Sequence, residues 1–268
     1  SMRALMRHTM TLSTLRIPRA ASMRASTTIT NAAPSNARTQ PSSSSLSSLA
    51  HIRVVVWDVD GTLADSASLG FDSTNAVLRD AGLAPITPAH YAIGTKFTTP
   101  RRLAWHATGD EDHACGRELG DAFDARYVAL VSDETAGFYP GIKPLVERLA
   151  ANGVRQGVLS NACGAYARAV IEANGVGALV SATLGADDVP RAKPAPDGLL
   201  QAFRAIGDDV DARTTAYIGD APSDGAAARA AGCVSIGVNW GSHDLSSADA
   251  FDVVFASVDE LERAFFGE

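Results

Sequence analysis

Short β-branched apolar runs alternate along much of the chain with longer stretches whose apolar positions recur every three or four residues. The first run, His51–Trp57, holds Ile52 and Val54-Val55-Val56 with almost no polar interruption. That pattern predicts a strand buried on both faces, as in a parallel sheet. Comparable runs predict strands at Val154–Leu159, Leu179–Leu184, Thr214–Ile218, Cys233–Val238 and Phe251–Phe255. Between them, helical periodicity and alanine content predict helices over Pro144–Ala151, Ala165–Asn174, Asp197–Ile206 and Ala221–Ala231. A last helix, Val258–Phe266, is announced by Ser257 with Glu260 three residues on, a capping box. Regular alternation from residue 140 onward predicts an α/β fold, a Rossmann-like doubly wound parallel sheet. In such folds, sites form at the carboxyl ends of the strands.

One stretch, Ser66–Phe138, breaks the alternation. It shows helical patterns at Ser68–Ala81, Pro100–Ala107 and Cys115–Val131 and no convincing strand. The expected organisation is therefore a core from residues 51–66 and 139–268, with an inserted helical domain over 67–138. The chain crosses between the two near 64–68 and 138–141, a candidate hinge, with Pro140-Gly141 marking the second crossing.

Residues 1–50 are different again, with 18 Ser or Thr, six Arg and no acid. They lack the apolar content to offset the entropy of folding, so a disordered extension is expected. Arg- and Ser-rich and free of acids, the segment reads either as an organellar (mitochondrial or plastid) transit peptide or as upstream sequence translated from a wrongly chosen start. The first reading places the protein in an organelle and the second in the cytoplasm.

The chain of 268 residues carries a net charge of −7. Setting aside the six N-terminal arginines leaves −13 on the remainder. An acidic body argues against a nucleic-acid partner, and the lack of any long apolar run argues against a membrane span. Three widely spaced cysteines, Cys115, Cys163 and Cys233, offer neither a disulfide framework nor a zinc site. None of the six histidines has metal-ligand spacing, and His106 and His113 are expected at the surface. Lysine is scarce, at Lys96, Lys143 and Lys193 alone, so each one invites a reason.

Candidate chemistry gathers at the predicted strand ends. Asp58-Val59-Asp60-Gly61-Thr62 closes the first strand with two acids at i and i+2, a costly pairing unless a cation compensates. One carboxylate could attack phosphorus, and the other could exchange a proton with the leaving oxygen and with water. Gly61 permits a tight turn, whose N–H groups can face an anion. Gly219-Asp220 and Asp224 follow another strand and supply hard oxygen ligands suited to Mg²⁺. Ser160-Asn161 ends the second strand with two groups able to bond a phosphoryl oxygen, and Lys193 sits in the stiff Lys193-Pro194-Ala195-Pro196 loop. Taken singly, each piece also fits ordinary turn and cap chemistry.

In their order, Asp58-x-Asp60-Gly61-Thr62, Ser160-Asn161, Lys193-Pro194 and Gly219-Asp220-x-x-x-Asp224 resemble the four motifs of the haloacid dehalogenase superfamily. The likeness covers about residues 51–255, and the second acid, Asp60, matches the phosphatase branch. The helical segment resembles that family's α-helical cap domain. Phe138-Tyr139-Pro140-Gly141, Lys193-Pro194-Ala195-Pro196 and Ala228-Arg229-Ala230-Ala231-Gly232 resemble phosphoglycolate phosphatases. The resemblance implies a Mg²⁺-dependent hydrolysis of a small phosphomonoester through an aspartyl-phosphate on Asp58, with Asp60 as acid and base. It implies metal ligation by Asp58, the Asp60 carbonyl, Asp220 and Asp224. Ser160, Lys193 and the backbone near Gly61, Thr62 and Asn161 would bind the phosphoryl oxygens. Lys96, next to a glycine, is the favoured substrate-binding cation of the cap, ahead of Arg101 and Arg102. A sugar-phosphate mutase of the β-phosphoglucomutase type, or a pyrophosphatase, remains the alternative, and a monomer or homodimer is expected.

Overall fold

The structure is a computed structural model that describes residues 48–245 and 249–267. The transit-peptide or tail assignment for residues 1–50 therefore lies outside the described residues, except at its end. There the expectation of disorder is corrected: Leu49 is buried, and its N–H donates to the Ala264 carbonyl at 2.8 Å.

Six parallel strands form one sheet in the order β3-β2-β1-β4-β5-β6. They are β1 (Val54–Trp57), β2 (Arg155–Leu159), β3 (Ala182–Leu184), β4 (Thr215–Gly219), β5 (Val234–Val238) and β6 (Val253–Phe255). The third is shorter than predicted because Gly177–Leu179 winds into a 3₁₀ turn before reaching the sheet edge. All four β1 residues are buried, since helices cover both faces. On one face Val55 and Trp57 meet α5 (Ile142–Ala151), α6 (Gly164–Ala173) and α9 (Val258–Phe266). On the other, Val56 and Tyr217 meet α7 (Asp197–Ile206) and α8 (Pro222–Ala231). One polar pair interrupts this core and is fully satisfied. Trp57 Nε1 donates to Gln156 Oε1 at 2.9 Å, while Gln156 Nε2 donates to the Val146 carbonyl at 2.9 Å.

Between β1 and α5 lie α1 (Ala67–Asp80), α2 (Pro88–Gly94), α3 (Thr99–Thr108) and α4 (Cys115–Ala129). The second of these was not foreseen. Thr87 caps it by accepting from the His90 N–H at 3.2 Å, and Pro88 occupies its first turn. The chain leaves and re-enters the core through adjacent segments: Asp65 N–H donates to the Gly137 carbonyl and Tyr139 N–H to that of Leu63, both at 2.9 Å. Apolar residues of the helical segment, including Leu69, Leu103 and Phe123, continue the core of the α5–α6 face.

His106 is buried, contrary to the surface position expected from sequence. Burial, then the charge of Arg102 and the ring of His90, lower its pKa to about 3. Close by in α4, Asp124 is pushed up to about 6, first by burial and then by the charge of Asp187, against the pull of Arg102. A carboxyl whose folded pKa exceeds its unfolded value of 3.8 weakens the fold as pH rises through the interval between them. Asp124→Asn is therefore expected to stabilise the protein at pH 7.5, by about 1–2 kcal/mol, and to change little at pH 4. Thermal unfolding at the two pH values checks this, and an equal effect at both would refute the charge as its cause.

Candidate active site

The β1–β4 register pairs Trp57 with Ile218, and the β1–β2 register pairs Trp57 with Val158. Asp58, Ser160 and Asp220 therefore leave three neighbouring strands at the same edge of the sheet. Chain order reverses on either side of β1, which opens a crevice at that edge.

Asp58, Asp220 and Asp224 are buried and present oxygens within 4.8 Å of one another. Lys193 is buried among them, its Nζ 2.6 Å from Asp58 Oδ1, 2.7 Å from Asp224 Oδ1 and 2.8 Å from the Tyr217 hydroxyl. Burial opposes its ammonium, but the charges of Asp224 and Asp58 outweigh that and raise its pKa, so it stays charged. For Asp58 the balance runs the other way. Burial raises its pKa, Lys193 lowers it, and Asp224 and Asp220 raise it further, leaving it well above the ordinary value. One ammonium does not offset three carboxylates. This donor set, hard, anionic and short of positive charge, suits a small divalent cation.

Local structure explains each placement. Asp224, three residues into α8, reaches back to accept from the Ala221 N–H at 2.9 Å. Asp220 Oδ2 accepts from the Ser242 N–H at 2.7 Å and lies 3.2 Å from His243 Nδ1, and that contact raises the His243 pKa. Gly61 has φ +78°, and a Cβ there would lie 2.3 Å from Asp220 Oδ2. A Cβ on Gly241 would meet the same oxygen at 2.4 Å. No side chain fits at either position.

Several site residues named from the sequence stand differently from expectation. The Asn161 amide is occupied: Nδ2 donates to the Lys193 carbonyl at 3.1 Å and Oδ1 accepts from the Lys193 N–H at 3.0 Å. Asn161 lines the crevice, but its amide is spent on holding the lysine loop. Thr62 is fully buried, with its hydroxyl 3.4 Å from Asp58 Oδ2, and steadies that carboxylate. The Gly61 N–H donates to the Ala64 carbonyl at 3.0 Å, so it is not turned to a ligand. Ser160 does line the crevice, its Oγ accepting from the Ala162 N–H at 3.0 Å. Lys96 does not line it. It is exposed, with Nζ 4.8 Å from the Phe97 ring centroid. Arg102 takes its place, because Arg101 turns outward to Glu111 and Asp112. Among the described residues Arg102 has no ion-pair partner, and its buried Nε has no hydrogen bond.

Asp60 also lines the crevice. Its Oδ1 accepts from Tyr166 at 2.7 Å, Tyr127 at 3.0 Å and the Ser66 hydroxyl. Burial, and next the Asp60 charge, push both tyrosines well above their ordinary pKa, so they remain protonated donors. Neither tyrosine, nor Tyr217 and His243, carried a sequence signal beyond that of a core aromatic or a loop residue.

A family model described as haloacid dehalogenase-like hydrolase matches residues 55–238. The phosphoglycolate phosphatase of Xylella fastidiosa is 36% identical over 200 residues, spanning 74% of this chain and 86% of that protein. That of Chromobacterium violaceum is 30% identical over 217 residues, spanning 80% and 96%. The structure of CbbY from Rhodobacter sphaeroides in complex with phosphate shares the fold. Its TM-score is 0.68 at 22% identity, with 78% of this chain and 96% of that one covered.

Proposed function

Because the chain belongs to the haloacid dehalogenase-like hydrolase family, we propose that it is a Mg²⁺-dependent phosphatase acting on a small phosphomonoester with a second anionic group, phosphoglycolate-like in chemistry. One observation carries this reading: Lys193 is buried between Asp58 and Asp224 at the sheet edge, with Asp60 two residues from Asp58. Relatives that are phosphoglycolate phosphatases over most of their length support the substrate class.

In this mechanism an Asp58 oxygen attacks phosphorus while the bond to the leaving oxygen breaks, and protonated Asp60 gives its proton to that oxygen. The Asp60 carboxylate then takes a proton from water as the water oxygen displaces Asp58 from phosphorus. The net products are an alcohol and inorganic phosphate. Lys193 and Ser160 stabilise the phosphoryl oxygens from fixed positions, and phosphoryl transfer rests mainly on such positioning and electrostatics. Asp58, the Asp60 carbonyl and Asp220 would hold Mg²⁺, with Asp224 completing the acidic group while bonded to Lys193. Bound there, the ion would supply positive charge opposite the transferring phosphoryl group.

The helical segment 67–138 serves as the cap over the core of 51–66 and 139–268. It contributes Tyr91, Thr95, Phe97 and Arg102 to the crevice. The cavity is about 100 Å³, well below the ~300–1,000 Å³ of sites for drug-sized ligands, and so favours a small substrate. Arg102, which lines it and has no ion-pair partner among the described residues, is placed to receive the substrate's carboxylate.

Phosphate release from a panel of phosphomonoesters, with Mg²⁺ and with EDTA, tests the reading. Phosphoglycolate should rank among the best substrates, and EDTA should stop the reaction. A hexose phosphate isomerised without phosphate release would establish a mutase instead. Arg102→Ala is expected to raise KM for phosphoglycolate by about 10- to 100-fold, the worth of a charge-assisted hydrogen bond. Its KM for 4-nitrophenyl phosphate, which lacks the carboxylate, should stay within a few-fold. An equal change for both esters would remove Arg102 from carboxylate recognition.

A further inference from the structure

The hydrogen bonds to Asp60 are distributed unevenly between its two oxygens. Three hydroxyls converge on Oδ1: Tyr166 at 2.7 Å, Tyr127 at 3.0 Å and Ser66. Among the described residues, no protein group hydrogen-bonds to Oδ2. A carboxylate oxygen offers about two lone-pair sites, so Oδ1 is saturated and the unbonded Oδ2 belongs to a residue that lines the crevice.

The two tyrosines form one unit. Their rings stack with centroids 4.0 Å apart and planes 15° from parallel, and their hydroxyl oxygens are 3.0 Å apart. The single Tyr127 proton is thus shared between Asp60 Oδ1 and the Tyr166 oxygen. Both tyrosine side chains are buried. They also come from different parts of the chain. Tyr127 is on α4 of the helical insertion, Tyr166 is on α6 of the core, and these two helices pack together. Stacked aromatic rings alone would have filled the space. Two phenolic hydroxyls aimed at one carboxylate oxygen go beyond what packing needs.

We propose that Tyr127 and Tyr166 are positioning residues that fix the Asp60 carboxyl through Oδ1 and reserve Oδ2 as the atom that carries the transferred proton. Because Tyr127 is on α4 and Tyr166 on α6, the aim of the acid depends on the packing of the insertion against the core. The inference rests on the phosphatase reading and adds to it which oxygen works and what aims it. Asp60 Oδ2–H points to the leaving oxygen in the first step, and Oδ2 receives the water proton in the second.

Tyr127→Phe and Tyr166→Phe, made separately, keep the stacked rings and remove one hydroxyl each. The readout is kcat/KM on an alkyl ester, phosphoglycolate or glycerol 2-phosphate, and on 4-nitrophenyl phosphate. The alkyl leaving group needs the proton, whereas 4-nitrophenolate departs without it. Each variant should lose about 10- to 100-fold on the alkyl ester, part of the range general acid catalysis supplies. Each should lose less than about threefold on the aryl ester. Equal losses on the two esters, or no loss on either, would overturn the proposal and leave the tyrosines as packing residues. Thermal unfolding identifies a variant that has not folded, in which case the other one decides. If the unaltered protein releases phosphate from neither ester, the phosphatase reading falls and this inference with it.

Discussion

Asp58→Asn is expected to abolish phosphate release from every substrate, by at least about 10⁴-fold, the scale on which removal of a nucleophile acts. The amide has nearly the shape of the carboxylate but no anionic oxygen to attack phosphorus. The fold should survive the change. Asp58 is already disfavoured as an anion, by burial first and, after the opposing pull of Lys193, by Asp224 and Asp220. Neutralising it relieves repulsion, and Lys193 keeps Asp224 as a partner 2.7 Å away. The variant should therefore melt no lower than the parent protein. Loss of activity with stability retained would identify a chemical role. More than about 1% residual turnover would refute the nucleophile.

Lys193→Met should be damaging for a different reason. It leaves two buried carboxylates, Asp58 and Asp224, without their shared ammonium. Breaking a buried ion pair from one side costs about 3–5 kcal/mol, because the partner's charge is left uncompensated. For a domain of this size that corresponds to a drop of roughly 6–20 °C in Tm. Activity should fall by about 10³-fold, since a fixed positive charge beside the phosphoryl site is lost. Millimolar Mg²⁺ should restore part of the lost stability, because a cation in the same acidic group replaces the missing charge. A variant as stable as the parent without Mg²⁺ would show that the carboxylates are not held charged by Lys193.

The sheet was readable because its first strand, buried at all four positions, is an unbroken apolar run, and shorter apolar stretches such as Val158-Leu159 and Tyr217-Ile218 recur in the buried strands beside it. The bounds of α7 and α9 follow from their apolar periodicity, and the Ser257–Glu260 cap is present at 3.3 Å. The helix α2 was missed although Thr87-Pro88 signalled it, since seven residues are too few for a clear period. His106 shares a helix face with Thr99 and Leu103, which are also buried, and that spacing outranked its polarity.

The candidate site was half legible. Asp58, Asp60, Ser160, Lys193, Asp220 and Asp224 each follow a predicted strand or sit in a loop serving one, so fold pattern and chemistry coincided. What the sequence could not show is contact between distant positions. Tyr127 and Tyr166 reach Asp60 from 67 and 106 residues away, and each reads alone as a core aromatic. Scarcity singled out Lys96 among the cap cations, yet scarcity says nothing about direction. The turn of α3 sends Arg101 outward to Glu111 and Asp112 and leaves Arg102 over the crevice.

The paired strands of chain where the insertion begins and ends also bear on how such a protein changes over evolutionary time. With Asp65 bonded to Gly137 and Tyr139 to Leu63, the ends of the insertion are fixed side by side before any of its helices is considered. Neither bond uses a residue of the helices in between. Selectivity can drift in the insertion while the sheet and its acids keep their places, as with a tool head exchanged on a fixed handle. A bond to the acid crosses that boundary: Tyr127, on α4 of the insertion, donates to Asp60 of the core, so a replacement for α4 keeps or loses that contact with it.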